Sequence, residues 1–300
     1  MQKIVPHLWF GTEAREAAEF YRGVFPDSEI SSVTTLTDTP SGDCDVVSFR
    51  LCAFEFMAIS AGPLFRINPS ISFIVNFEDA DPAATERLDR TWDELAEGGA
   101  ELMPLGEYPF SKRYGWIQDR YGVSWQLILS DPDGDPRPAI VPSLMFTGEV
   151  CGRAEDAADF YLSVFPNSER GRVARYPDGS EPDRPGTIMF SDFRLLDGWF
   201  AAMDSAREHD FGFNEAVSLI VNCADQAEID RCWERLSAVP EAEQCGWLKD
   251  RFGVSWQVVP AEMGEMMASG SREQIDRVTK AFLPMKKFDL AELRRAFRGA

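Results

Sequence analysis

The chain has 300 residues, 44% hydrophobic and 27% charged, which suits about two globular domains and excludes disorder as the main state. Fifty acidic residues against 30 basic ones give a net charge of −20, a surface that repels nucleic acid and anionic membranes. No apolar run reaches the ~20 residues of a membrane span, and the first residues lack a signal-peptide core; the expectation is a soluble, cytoplasmic protein.

In chain order, an apolar strand from Ile4 to Phe10 comes first. A helix follows, with Ala17, Phe20, Tyr21, Val24 and Phe25 at helical spacing, and Pro26 stops it. Strand-like runs cover Glu29 to Leu36, Asp45 to Leu51 and Phe54 to Ile59. The pattern then restarts with a strand from Ile71 to Phe77. The next helix takes Asp81 as N-cap, Pro82 in its first turn and Gly98 beyond its end, with Leu88, Trp92 and Leu95 as the buried stripe. Further strands end at Leu129. Ser130 to Pro138 reads as a linker, with three prolines and a glycine. Asp131, Asp133 and Asp135 imitate the start of a calcium loop, but Pro136 and Pro142 stand where such a loop needs glycine and glutamate.

Beyond the linker the chain repeats itself. Gly115 to Leu129 returns as Gly246 to Pro260 with nine of fifteen positions identical. Glu16 to Glu29 returns as Glu155 to Glu169, Ser70 to Asn76 as Ala216 to Asn222, and Asp89 to Leu95 as Asp230 to Leu236. The order is kept, so the chain is a tandem duplication: a first domain at 1–130, a linker at 131–138, a second domain at 139–260 and a helical extension at 261–300. Each half reads βαβββ–βαβββ, an α+β pattern of four modules. The extension carries helices at Arg272 to Phe282 and Asp289 to Phe297, and Met263, Met266 and Met267 pack it onto a domain.

Six cysteines, with no C-x-x-C pair, read as reduced thiols. The only histidines are His7 and His209. There is no G-x-G-x-x-G after a strand, no Walker A loop and no G-x-S-x-G elbow. Asp119 and Glu107 read as hairpin residues in water.

Paired βαβββ modules with Phe160-Tyr161 and Val164-Phe165-Pro166, the run Phe211 to Ser218, and Cys245 to Gln257 resemble the vicinal oxygen chelate superfamily, the fold of glyoxalase I and the bleomycin-resistance proteins. The resemblance is closer to its PhnB-like branch, which also carries a 3-demethylubiquinone methyltransferase domain name. It implies that each pair of modules curls its strands into a half-open barrel, with helices outside and a ligand within. It also implies four metal-ligand positions in the metal-dependent members. On the last strand these match Gln126 and Gln257, where glutamate is usual. On the first strand they match Val5 or Pro6, and Val141 or Pro142. The others fall near Phe56 to Ala58 and near Ile71 and Ser72. One imidazole, His7, and neutral amides make a poor divalent site, so neither a metal nor another cofactor is expected.

The alternation Ser-Trp-Gln places Trp125 and Trp256 under the helices and turns Ser124, Gln126, Ser255 and Gln257 toward the cavity. His7 and Trp9 in the first half, and Ser143 in the second, complete the candidate ligand-binding set. No catalytic residue is identified. The methyltransferase name implies no such activity, because the glycine-rich turn and the strand order of that fold are missing. Two functions compete: a metal-independent small-molecule binder, with the halves as an internal pseudo-dimer or the chain as a homodimer, and a lyase, isomerase or dioxygenase acting on an unknown small substrate.

Overall fold

The computed structural model describes residues 2–78, 81–131 and 134–299. The first module holds β1 (Ile4–Phe10), α1 (Ala14–Val24), β2 (Glu29–Thr39), β3 (Gly42–Leu51) and β4 (Phe54–Ser60). The second holds β5 (Ile71–Glu78), α2 (Ala84–Ala96), β6 (Ala100–Tyr108), β7 (Ser111–Gln118) and β8 (Ser124–Ser130). The third holds β9 (Ile140–Phe146), α3 (Ala154–Val164), β10 (Glu169–Arg175), β11 (Ile188–Leu195) and β12 (Gly198–Asp204). The fourth holds β13 (Val217–Cys223), α4 (Gln226–Leu236), β14 (Trp247–Lys249) and β15 (Ser255–Pro260). The extension forms α5 (Ala261–Ser269), α6 (Arg272–Phe282) and α7 (Leu290–Arg298).

Three details differ from the sequence pattern. Helix α2 starts at Ala84, because the Asp81 carboxylate closes a preceding turn by accepting from the Ala83 N–H at 2.9 Å. The fourth module has two strands after its helix rather than three; the chain there makes a 3-10 turn at Pro240–Ala242, where a proline has no N–H to give a ladder. Met263, Met266 and Met267 lie on a helix of their own, α5. Within the linker, Pro132 and Asp133 lie outside the described residues, and so does that part of the imitated calcium loop.

The strands form two mixed sheets, ordered β14-β15-β13-β1-β4-β3-β2 and β10-β11-β12-β9-β5-β8-β7-β6. The modules therefore pair across the duplication, first with fourth and second with third. Strand β1 runs antiparallel to β13, with His7 opposite Ser218, and β5 runs antiparallel to β9, with Ser72 opposite Ser143. The short connection after β8 explains the choice: it brings β9 back beside β5, the neighbour of β8, before the chain moves on. The two halves are nearly identical in pattern, so the repeat itself does not choose between pairing within a half and pairing across halves.

The two modules of each half stay joined through their helices, α1 against α2 and α3 against α4. The apolar sides of both sheets and α1 to α4 share one core. Trp125 and Trp256 are fully buried in it, beneath Phe25 and Phe165. At its centre is a polar clamp. Asp119, read from the sequence as a hairpin residue in water, is buried instead. Its Oδ2 accepts from Tyr21 Oη and Trp125 Nε1, both at 2.8 Å, and its Oδ1 accepts from the N–H groups of Tyr121 and Val123. Asp250 repeats all four bonds with Tyr161, Trp256, Phe252 and Val254. Gly122 and Gly253, at φ +86° and +87°, provide the left-handed step that folds each turn back onto its carboxylate. The D-R-x-G-V-S-W motif and the helical tyrosine thus meet as a structural device. Burial raises Asp119 to about 6, against the hydrogen bonds that favour its charged form.

The extension joins the two edges of the seven-stranded sheet. Helices α5 and α6 pack on β2, α5 also packs on β15, and Thr37 Oγ1 donates to Asp276 Oδ1 at 3.0 Å. At the other edge the N–H groups of Cys245 and Gly246 donate to the carbonyls of Met285 and Lys286, both at 2.7 Å. Met266, Val278, Phe282, Phe288 and Leu293 form its core, with Leu36 of β2 and Val259 of β15 packed against them. Gly246 is required here: a Cβ would stand 2.6 Å from the Phe288 ring. No element bridges the edges β6 and β10 of the other sheet among the described residues. No helix among them is long and apolar enough to cross a membrane.

Candidate functional site

Side chains on paired strands point to the same side, so the registers define the side of each sheet turned away from the helices. On the first sheet one row across five strands reads Met57, His7, Ser218, Ser255 and Lys249, and the next reads Val5, Ile220, Gln257 and Trp247. On the second sheet the matching rows read Ala201, Ser143, Ser72, Ser124 and Gln118, then Val141, Ile74, Gln126 and Trp116. Each face therefore takes residues from both halves of the chain. His7, Trp9, Ser255 and Gln257 come together on the first face, and Ser124, Gln126 and Ser143 on the second.

The floors of both faces share one hydrogen bond. Gln257 Nε2 donates to Ser218 Oγ at 2.9 Å, and Gln126 Nε2 donates to Ser72 Oγ at 2.8 Å. Beyond that they differ. On the second face Tyr114 Oη donates to Gln126 Oε1 and Trp116 Nε1 donates to Ser124 Oγ, both at 2.7 Å. Burial pushes the Tyr114 phenol well above its ordinary range, so it stays a neutral donor. Ser143 Oγ is left without a partner.

On the first face Cys245 occupies the position of Tyr114, and its thiol turns to the Leu283 carbonyl of the extension at 3.3 Å. Trp247 stands edge-on to His7, with centroids 5.4 Å apart, and to Trp9 at 6.1 Å. Trp9 is fixed by donating from Nε1 to the Gly62 carbonyl at 2.8 Å and by edge contact with Phe65. Ser255 Oγ and His7 Nδ1 are buried with no hydrogen-bond partner. His7 is only 3% exposed, and burial lowers it to about 3, so the ring is neutral at physiological pH. The nearby charges are paired: Lys249 Nζ lies 2.8 Å from Glu215, and Arg50 lies 3.2 Å from Glu29. His209 lies elsewhere, against Ser205 and Phe211.

The donor set does not fit a divalent metal. The first face offers one buried imidazole with the neutral oxygens of Ser218, Ser255 and Gln257, and no carboxylate stands in the His7 row. Among the described residues no group of three or more His, Cys, Asp or Glu side chains is placed to hold a metal ion.

Ser72, Ser218, Tyr114, Trp116 and Trp247 were not among the candidates drawn from the sequence. Their signal lay in the repeat, which aligns Ser72 with Ser218 and Trp116 with Trp247.

Comparison with known proteins agrees with the duplicated architecture. The family described as 3-demethylubiquinone-9 3-methyltransferase matches residues 2–128 and again residues 138–259. A solved structure described as a putative 3-demethylubiquinone-9 3-methyltransferase, PhnB protein, from Bacillus cereus is 40% identical over 43% of this chain and 100% of its own, with a TM-score of 0.39. Its whole length thus corresponds to less than half of this chain. Glyoxalase I from Zea mays aligns with 89% of this chain and 98% of its own at 12% identity and a TM-score of 0.51, a likeness of fold alone. No curated protein matches the chain.

Proposed function

Because the chain belongs to the 3-demethylubiquinone-9 3-methyltransferase family, the PhnB-like branch of the glyoxalase and bleomycin-resistance superfamily, we propose that it binds a small organic molecule on the side of its sheets turned away from the helices, without a divalent metal. The candidate contacts are His7, Trp9, Ser255 and Gln257 on the first face, with Ser124, Gln126 and Ser143 as their counterparts on the second. The observation that carries this reading is the pair of buried, unpartnered polar atoms, His7 Nδ1 and Ser255 Oγ. A buried polar group without a partner costs about 1–3 kcal/mol, and a ligand that hydrogen-bonds both removes that cost. The aromatic walls beside them supply apolar contact.

A neutral His7 in hydrogen-bond reach of a substrate is also the one group that fits an enzymatic reading. Its Nδ1 has no orienting partner, and this favours binding over proton transfer. Methyl transfer has no support in the chain, which lacks a glycine-rich turn after the first strand. The net charge of −20 argues against nucleic-acid and membrane partners. The tandem halves serve as an internal pseudo-dimer, since each face needs both. Six free thiols suit the reducing cytoplasm.

The test is elemental analysis of protein exposed to manganese, iron, nickel and zinc, together with native mass spectrometry for co-purified organic molecules. The expected result is no stoichiometric metal and a bound organic mass that His7→Ala loses. A stoichiometric metal released by His7→Ala would overturn the reading.

A further inference from the structure

The two faces descend from one pattern, yet the first leaves more of its hydrogen bonds open than the second. On the second face Tyr114 and Trp116 already fill Gln126 Oε1 and Ser124 Oγ at 2.7 Å. A polar ligand there would have to break bonds the protein has made, and only Ser143 Oγ is left to greet it. On the first face two replacements have opened the same floor. Cys245 stands in for Tyr114 and gives its thiol to the extension, so no tyrosine reaches Gln257 Oε1. Trp247 turns to His7 and Trp9, and Ser255 Oγ loses the indole partner that Ser124 keeps.

Resting on the reading of these faces as ligand surfaces, we infer that only the face built by the first and fourth modules binds, and that its ligand is an uncharged molecule joining a flat ring to a carboxamide-like donor and acceptor group. His7 and Ser255 flank Ser218 in one row, with Gln257 in the next. The imidazole nitrogen and the glutamine carbonyl accept from an N–H, and the serine hydroxyl donates to a carbonyl. Trp9 meets Phe65 and Trp247 edge to face, with centroids 5.1 and 6.1 Å apart, and these rings give a ligand ring both faces and edges to pack on. Among the described residues beside this floor, Lys249 is held by Glu215 and Arg50 by Glu29, while the Glu55 carboxylate is engaged by the Gln2 N–H at 3.1 Å. An ion taken onto this floor would lose its water without gaining a counter-charge. The extension closes the sheet edges of this face and leaves those of the other unbridged.

Benzamide, benzoate and benzylamine share a ring and differ in charge, and ligand-observed saturation-transfer NMR on the full chain compares them directly. The expected result is transfer to benzamide alone. His7→Ala and Ser255→Ala, each checked for a native circular-dichroism melt, weaken its apparent affinity by about tenfold or more, as loss of a buried hydrogen bond does. Met203→Trp, which fills the second face, leaves it unchanged. Equal or stronger transfer to benzoate or benzylamine that His7→Ala abolishes would overturn the ligand class while leaving the binding reading standing. Loss of benzamide transfer in Met203→Trp, with none in His7→Ala, would overturn the choice of face. Absence of transfer to all three probes at millimolar concentration would overturn both the inference and the reading on which it rests.

Discussion

Asp119→Asn tests the clamp beneath the faces. Asparagine keeps the shape of the aspartate and replaces one acceptor oxygen by a donor. Oδ1 faces two backbone N–H groups, and Oδ2 faces Tyr21 and Trp125. The less costly orientation turns the amide nitrogen toward Tyr21, whose hydroxyl can rotate to accept, and strands the Trp125 indole N–H. One stranded buried donor and three weakened charge-assisted bonds amount to about 2–4 kcal/mol at pH 7. The pH dependence has a definite sign. Burial raises the native carboxyl to about 6 against 3.8 for the unfolded chain, so the folded state holds the proton more tightly between these values. The contribution of the protonated group is fully present below pH ~4 and is lost as pH rises through ~6, a change of about 3 kcal/mol at 1.36 kcal/mol per unit. The asparagine variant does not titrate, so its deficit relative to the native chain is largest at acid pH and shrinks by about that amount toward neutrality. Urea unfolding of both proteins at several pH values measures this. A deficit that stays constant with pH, or grows as pH rises, would show that the hydrogen bonds match or outweigh burial and would refute the reasoning.

Two other outcomes follow from the packing. Tyr114→Phe strands the buried Gln126 carbonyl and lowers stability by about 1–3 kcal/mol; denaturant midpoints report it, and Tyr114→Phe combined with Gln126→Leu is expected to recover part of the loss because the stranded group is gone. Removing residues 261–300 uncovers Leu36 and Val259 and frees the N–H groups of Cys245 and Gly246. The thermal midpoint of that truncated chain should fall by roughly 5 °C or more with increased binding of an apolar dye, and an unchanged midpoint would show that the extension does not brace the sheet.

Much of the fold was legible in the sequence because it is written in local periodicity. The apolar run of β1 and the stripe of Leu88, Trp92 and Leu95 follow from which residues of an element meet the core, and the structure keeps both. Ser-Trp-Gln placed both tryptophans in the helix-side core for the same reason. Where a local rule misled, a distant partner decided. Asp119 lies in a hairpin and looks solvated until Tyr21, 98 residues away, is brought to its carboxylate.

The sequence by itself determined the duplication, the order of the modules and the residues that alternate to one side of each strand, because these depend on neighbours a few positions apart. Which modules pair was decided only by the tertiary structure. The connection after β8 brings β9 beside β5, and four near-equivalent modules offer more than one pairing with the same local pattern. The inequality of the two faces was likewise hidden. The exchange of tyrosine for Cys245 was visible in the repeat, but its meaning depends on His7 arriving from the far end of the chain to stand beside Ser218 and Trp247. A hydrogen bond left open is a property of the atoms that surround a group, and only the folded chain brings those atoms together.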